Sequence, residues 1–355
     1  MAKGAFRFSA AIGAAALALT LTLQGTPVAA AEKIVISNWD GYMPPDLLER
    51  FTEDTGIEAE LSVHATNEEV MGKVTAGGGR GYDVLFVSSP FVEALANLEL
   101  IAELDHGKIP NLENLYPEAR NLEYDPDNQH SVPYAWGTTG LCYRSDLVEE
   151  EPDSWMDLLK PSDNLKGKVT MLATDRWLMA AGLKALGYSV NSTDPDEIAA
   201  AKELLIEAKH SLLAYDDTTF YSKLVSGEAS LVHAWDGWCN YGIAENPAIK
   251  FVVPEEGSDM WVDTMVITAA SENKDAAHAF INYILQPEIH AWVAENILYK
   301  VPNEAAMESL DPSLVETYPN LGMTPKELMQ KEQLRDLGRA QRDYTRAVTE
   351  ITAAQ

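Results

Sequence analysis

Two α/β units joined by chain crossings are what this sequence predicts. From Lys33 onward, short apolar runs of strand length alternate with helical periodicity, the rhythm of an open α/β sheet. Two such stretches follow one another without repeats, a long linker or a low-complexity segment, which favours interleaved lobes over beads on a string. The 355 residues suffice for two domains, and 46% hydrophobic with 23% charged residues is a globular composition.

The elements can be justified in order. Lys33–Ile36 reads as a strand. Pro44-Pro45 opens a helix that sets Leu47, Leu48 and Phe51 on one face, and Gly56 ends it. Glu58–Val63 reads as a second strand, and Thr66-x-x-Glu69 is a capping box for the next helix. Tyr82–Val87 is a short apolar strand, with Ser88-Ser89-Pro90 capping the helix after it. Sheets of this kind bind ligands at the carboxyl ends of strands, where Trp39, Asp40, Ser88 and Ser89 fall. Asp125-Pro126-Asp127-Asn128 is a turn and Ser131–Trp136 is extended. Ser154-x-x-Asp157 is a further capping box. Lys168–Leu172 and Ser230–Ala234 read as strands, with helices at about Asp175–Leu186 and Pro195–Ala208 between them. Phe251–Val253 and Val266–Ile267 are short strands. Helices follow at Lys274–Leu285 and Pro287–Asn296, and a polar amphipathic helix over Pro325–Thr349 closes the chain.

The N-terminus reads as a signal peptide. Lys3 and Arg7 precede an apolar run from Ala10 to about Leu23, and Ala29-Ala30-Ala31 offers a cleavage site. The run is short for a membrane span, no later segment is long and apolar enough, and no Cys follows it to carry a lipid. A mature protein starting near Glu32 in the periplasm is expected. The formal net charge is −29, or about −31 once Lys3 and Arg7 are removed. Such a field disfavours nucleic acid and anionic membrane and concentrates cations, although an acidic surface also serves solubility in a salty habitat. The two cysteines, Cys142 and Cys239, are compatible with a disulfide and equally with two buried thiols.

Three indole–carboxylate pairs stand out: Trp39-Asp40, Trp235-Asp236 and Trp261-Val262-Asp263. An indole face attracts a cation through its quadrupole and a carboxylate attracts it by charge, so pairs converging on one cleft suit an amine on an aliphatic chain. Any single pair is better explained as a core tryptophan beside a turn aspartate. Reactive constellations are missing: no Walker A lysine follows Gly77-Gly78-Gly79-Arg80-Gly81, and H-E-x-x-H, C-x-x-C and G-x-S-x-G do not occur. The seven histidines are scattered, so neither a metal site nor any other cofactor is expected.

The residues that carry a family resemblance run the length of the mature chain. They include Asn38-Trp39-Asp40-Gly41-Tyr42-Met43-Pro44-Pro45, Phe51-Thr52-Glu53-Asp54-Thr55-Gly56-Ile57, Val132-Pro133-Tyr134-Ala135-Trp136-Gly137-Thr138-Thr139, Ser154-Trp155-Met156-Asp157-Leu158, Trp261-Val262-Asp263 and Val301-Pro302-Asn303. In order and spacing they resemble the periplasmic spermidine/putrescine-binding proteins of ABC transporters. The resemblance implies the two-lobed periplasmic-binding-protein fold, with a ligand cleft between lobes joined by hinge crossings. It places roughly residues 32–134 and 265–299 in lobe 1 and residues 135–264 and 300–355 in lobe 2. It further implies a monomer without enzymatic activity that captures putrescine or spermidine and delivers it to a membrane permease driven by an ATPase.

Carried over residue by residue, Trp39, Asp40, Tyr42 and Ser88 match cleft positions of one lobe, and Trp235, Trp261, Asp263 and Tyr299 match others. Asp40 and Asp263 would hold ammonium groups and the tryptophans would stack on methylenes; plain packing beside the hinge competes for Tyr42 and Tyr299. One departure matters. The family's acid for the distal amine, after the strand at Lys168–Leu172, aligns with Trp177. Its loss favours a smaller amine, an opine, or an ω-amino acid such as 4-aminobutyrate whose carboxylate Arg176 could pair, unless Asp236 or Asp175 restores the charge. Readings of another class, an exported enzyme or a sensor partner, lack a reactive residue set.

Overall fold

The computed structural model describes residues 33–354, so the expected signal peptide lies outside the described residues. Ten strands form one hydrogen-bonded network: β1 (Lys33–Trp39), β2 (Glu58–His64), β3 (Val84–Ser88), β4 (Ser131–Arg144), β5 (Val169–Met171), β6 (Leu212–Tyr215), β7 (Leu231–Trp235), β8 (Ile249–Val252), β9 (Asp259–Ile267) and β10 (Glu332–Gln333). The helices are α1 (Leu47–Thr55), α2 (Asn67–Gly77), α3 (Ser89–Asn97), α4 (Trp155–Leu159), α5 (Asp175–Ala185), α6 (Pro195–Lys209), α7 (Phe220–Ser226) and α8 (Asp236–Glu245). They continue with α9 (Lys274–Ile284), α10 (Pro287–Ile297), α11 (Glu304–Ser309), α12 (Pro312–Thr317), α13 (Pro325–Leu328) and α14 (Gln341–Ala353).

The strand order is β2-β1-β3-β9-β4-β7-β5-β6, with β10 beside β9 and β8 beside β4. The β2-β1-β3 and β7-β5-β6 ends are parallel, as βα units require, whereas β9 and β4 join them in antiparallel register. β4 changes partners along its length: Ser131–Thr138 pairs with β9, and Thr139–Arg144 pairs with β7 and β8. One strand thus serves both halves of a two-lobed fold. The apolar face of each half has its own packing. A large cluster includes Ile34, Leu85, Phe86, Val266 and Phe280; a second holds Leu158, Met171, Leu178, Leu205 and Ile351 between β5 and helices α4, α5, α6 and α14.

Local signals act as their chemistry demands. Gly56 caps α1 at φ 75°, a left-handed conformation that a side chain would strain. The Thr66 hydroxyl accepts the Glu69 N–H, the Ser154–Asp157 box closes on α4, and Asp194 caps α6. Three expectations need correction. β4 is 14 residues long rather than ending near Trp136. The glycines of its Gly137-Thr138-Thr139-Gly140 centre serve close approach: a Cβ on Gly137 would lie 2.4 Å from the Trp261 ring, and one on Gly140 would lie 2.4 Å from the Val252 carbonyl. β9 likewise begins at Asp259, whose buried carboxylate accepts the Thr139 and Ser258 hydroxyls. The closing helix is broken. Glu332-Gln333 pairs with β9, and Arg335 grips Glu93 through Nε at 3.0 Å and a second nitrogen at 2.6 Å before α14 starts. The cysteines, open in the sequence, form a disulfide between β4 and α8 with Cα atoms 5.9 Å apart.

Candidate ligand-binding site

Five strand ends open on one cavity of about 840 Å³. β1 ends at Trp39 and β3 at Ser88, β7 ends at Trp235, and the turns after β5 and β6 bring Thr174 and Asp217; all of these residues line the space. This is where the dipoles and free backbone groups of an open sheet converge. β9 crosses the floor and contributes Trp261 and Asp263, two residues apart and therefore on the same face of the strand.

Asp263 is the best-organised anion. Its two carboxylate oxygens accept the Ser88 hydroxyl at 2.6 Å and the Tyr42 hydroxyl at 2.8 Å. Ser88 is fixed in turn by Asn67, which donates to its hydroxyl at 3.1 Å and accepts its N–H at 2.9 Å. Burial pushes the Asp263 carboxyl up to about 6, and the two hydroxyl donors hold it from rising further. At neutral pH it is charged, half-buried and without a basic partner among the described residues. Burial and the neighbouring Asp263 charge push the Tyr42 phenol well above its ordinary value, which keeps it a donor.

Around this carboxylate the aromatic rings interlock edge to face. Trp39 meets Tyr42 at 5.5 Å, Tyr42 meets Tyr299 at 5.4 Å, and Tyr299 meets Trp261 at 5.4 Å. On the other wall Trp177 and Trp235 meet at 5.6 Å. Gly237, at the start of α8, leaves room for Tyr299, since a Cβ there would lie 2.3 Å from its ring.

Of the residues expected at the site, Trp39, Asp40, Tyr42, Ser88, Trp177, Trp235, Trp261, Asp263 and Tyr299 all line the cavity. Asp236 does not. It sits behind the wall, buried, and accepts the N–H groups of Gly237 at 2.9 Å and Thr138 at 3.4 Å. Burial lifts its carboxyl to about 8. Arg176 also turns away: its guanidinium donates to the carbonyls of Arg335 and Val190 and to Asn191 Oδ1 at 2.7 Å. A helix start places consecutive side chains about 100° apart, so Trp177 faces the cavity while its neighbour is buried against the C-terminal segment. Glu68, Asp217, Tyr221, Trp238 and Tyr241 line the cavity without having been singled out. Asp217 was hidden because β6 is only half-buried and carries no alternation.

The lining as a whole holds five indoles and four carboxylates, Asp40, Glu68, Asp217 and Asp263, and neither lysine nor arginine. His64 adds no charge: burial lowers its imidazole to about 4, and Ser37 Oγ lies 2.8 Å from its Nδ1. The arrangement can hold positive charge beside apolar carbon. Among the described residues no cluster of His, Cys, Asp and Glu suits a metal ion.

Residues 46–321 match the family described as bacterial extracellular solute-binding protein. The spermidine/putrescine-binding periplasmic protein of Salmonella typhimurium is 35% identical over 303 residues, 84% of this chain and 86% of its own. The putrescine-binding periplasmic protein PotF of Escherichia coli is 32% identical over 312 residues, 83% of this chain and 84% of its own. The spermidine/putrescine ABC transporter substrate-binding protein PotD from Streptococcus pneumoniae superimposes with a TM-score of 0.77 at 30% identity, over 91% of this chain and 99% of its own. The chain belongs to the bacterial extracellular solute-binding proteins, among relatives of the polyamine-binding type.

Proposed function

We propose that this protein captures a polyamine, putrescine or spermidine, in the cavity between its lobes and delivers it to a membrane permease driven by an ATPase. The observation that carries this reading is the lining: four carboxylates and five indoles with no lysine or arginine. A di- or tri-ammonium ligand supplies the missing positive charge, and its methylenes suit the rings. An ω-amino acid would bring a carboxylate into an already anionic cavity, and Arg176, the side chain that could have paired it, is committed elsewhere. The names of the relatives point the same way.

The protein acts as a monomer in the periplasm, exported by the segment before Glu32, and performs no chemistry on its ligand. Residues 32–134 with 265–299, and 135–264 with 300–355, are the two lobes, and ligand drives closure by touching both. A thermal-shift panel tests the ligand class. Putrescine or spermidine at large excess over its dissociation constant should stabilise the protein by about 2–4 kcal/mol. Stabilisation by 4-aminobutyrate, betaine or sugars and not by polyamines overturns the proposal, and turnover of the bound amine overturns its non-enzymatic part.

A further inference from the structure

The cavity has a second anionic end, and the residues that build it come from both walls. Asp217 follows β6, a neighbour of β5 in parallel register with Met171 opposite Tyr215. The two strand exits therefore lie side by side, and Asp217 leans across to accept the Ala173 N–H at 2.8 Å. That bond fixes the carboxylate beside Thr174 and Trp177, all three on the cavity wall. The Thr174 N–H and hydroxyl also face it, and a carboxylate has about four lone-pair sites, so one is left for a ligand. No lysine or arginine lies within salt-bridge distance among the described residues: Lys223, the nearest in sequence, is spent on Asp216. From the opposite wall the first turn of α2 contributes Glu68, which also lines the cavity. Burial is the main cause of the raised proton affinity of Glu68, and the charges of Asp175 and then Asp217 add to it. Trp177, only 5% exposed, closes this end, and its indole N–H finds no acceptor in the protein.

Asp263 lies elsewhere in the cavity, on β9, separated from β5 by β4 and β7 in the sheet. Asp217 itself follows β6, so three strands, β4, β7 and β5, lie between the strands that carry the two carboxylates. One ammonium cannot serve both carboxylates at that span, whereas a ligand with an ammonium at each end can.

We infer that Asp217 and Glu68 form a second ammonium subsite, which selects ligands carrying two or more positive charges and couples their capture to closure of the walls. The inference rests on the polyamine reading and names the residues that set ligand valence and length. In the ligand-free protein the two acids repel across the cleft. A terminal ammonium between them removes the repulsion and gives each wall a contact, which is the differential interaction that closure needs. Trp177 becomes the apolar cover over the last methylenes.

Asp217→Asn isolates the charge, because Asn Oδ1 can still accept the Ala173 N–H. Calorimetry with putrescine, spermidine and 1-aminobutane on the wild type and on Asp217→Asn reads the effect. At least about a tenfold loss in affinity is expected for putrescine or spermidine, with less than about a threefold change for the monoamine. Glu68→Gln on the other wall should show the same selectivity and guards against a folding failure of the first variant. A loss below about threefold for both polyamines in both variants, or an equal loss for the monoamine, overturns the subsite. A wild type that binds no polyamine at all overturns the functional reading instead, so the two failures are distinguishable.

Discussion

Asp263→Asn should make the ligand-free protein more stable while destroying its affinity. The carboxyl has been raised from 3.8 to about 6 mainly by burial. At roughly 1.4 kcal/mol per tenfold change in proton affinity, keeping it ionised in the folded state costs about 3 kcal/mol at neutral pH. Asparagine removes the charge and keeps the shape. It retains one acceptor for the Ser88 or Tyr42 hydroxyl and forces the other to turn, at a cost of about 1 kcal/mol. The net gain is about 1–2 kcal/mol, a rise in Tm of about 2–4 °C. The sign also fixes the pH dependence. A folded-state carboxyl held above its unfolded value contributes stability below pH 3.8, and that contribution is lost as pH rises to about 6. The difference in stability between variant and wild type should therefore grow across that window and level off above it. Ligand binding runs in the opposite sense. An ammonium left without its buried partner should bind 30- to 1000-fold more weakly, about 2–4 kcal/mol. Circular dichroism melts from pH 4 to 8, with calorimetry at pH 7.5, measure both quantities. An unchanged affinity, or a destabilised ligand-free variant, would refute the assignment of Asp263 as a desolvated anion held ready for a cation.

The other perturbations are simpler. Trp261→Ala should weaken polyamine binding by roughly 1–3 kcal/mol and also lower Tm, because the ring is only 2% exposed and supports Tyr299; calorimetry and melting separate the two effects. Gly137→Ala should weaken binding without replacing any lining residue, since its Cβ would fall 2.4 Å from the Trp261 ring and 2.5 Å from the Asp236 carboxylate; an affinity equal to wild type would mean that β4 gives way. Replacing both cysteines by alanine should cost about 2–4 kcal/mol of stability, because the bridge spans 97 residues, with affinity unchanged; denaturant titration checks it.

Much of this molecule was legible in its sequence. Thr66, Ser154 and Gly56 mark helix ends because each satisfies a backbone group that water would otherwise take, and that chemistry is local. The indole–carboxylate pairs located five lining residues of the cavity for a similar reason: Trp261 and Asp263 share a strand face by spacing alone. What stayed hidden depends on distant partners. The centre of β4 runs as strand against β9 and β8: the Thr138 hydroxyl donates to the Asp259 carbonyl, and the two glycines let the Trp261 ring and the Val252 carbonyl come close. Asp236 reads like Asp263 in the sequence, yet Trp235 ends its strand facing the cavity while the next residue starts a helix and turns inward. Asp217 belongs to the cavity through the pairing of β6 with β5, a contact between segments about 40 residues apart that no periodicity encodes.

The central claim is that this cavity takes positive charge at both ends. Calorimetric titration of the wild-type protein with spermidine, putrescine and 4-aminobutyrate in the same buffer tests it most directly. Saturable binding of a polyamine, with 4-aminobutyrate weaker by at least about 100-fold, is the predicted result, because the cavity has carboxylates for two ammonium groups and no cation for a carboxylate. Tighter binding of 4-aminobutyrate than of either polyamine would contradict it.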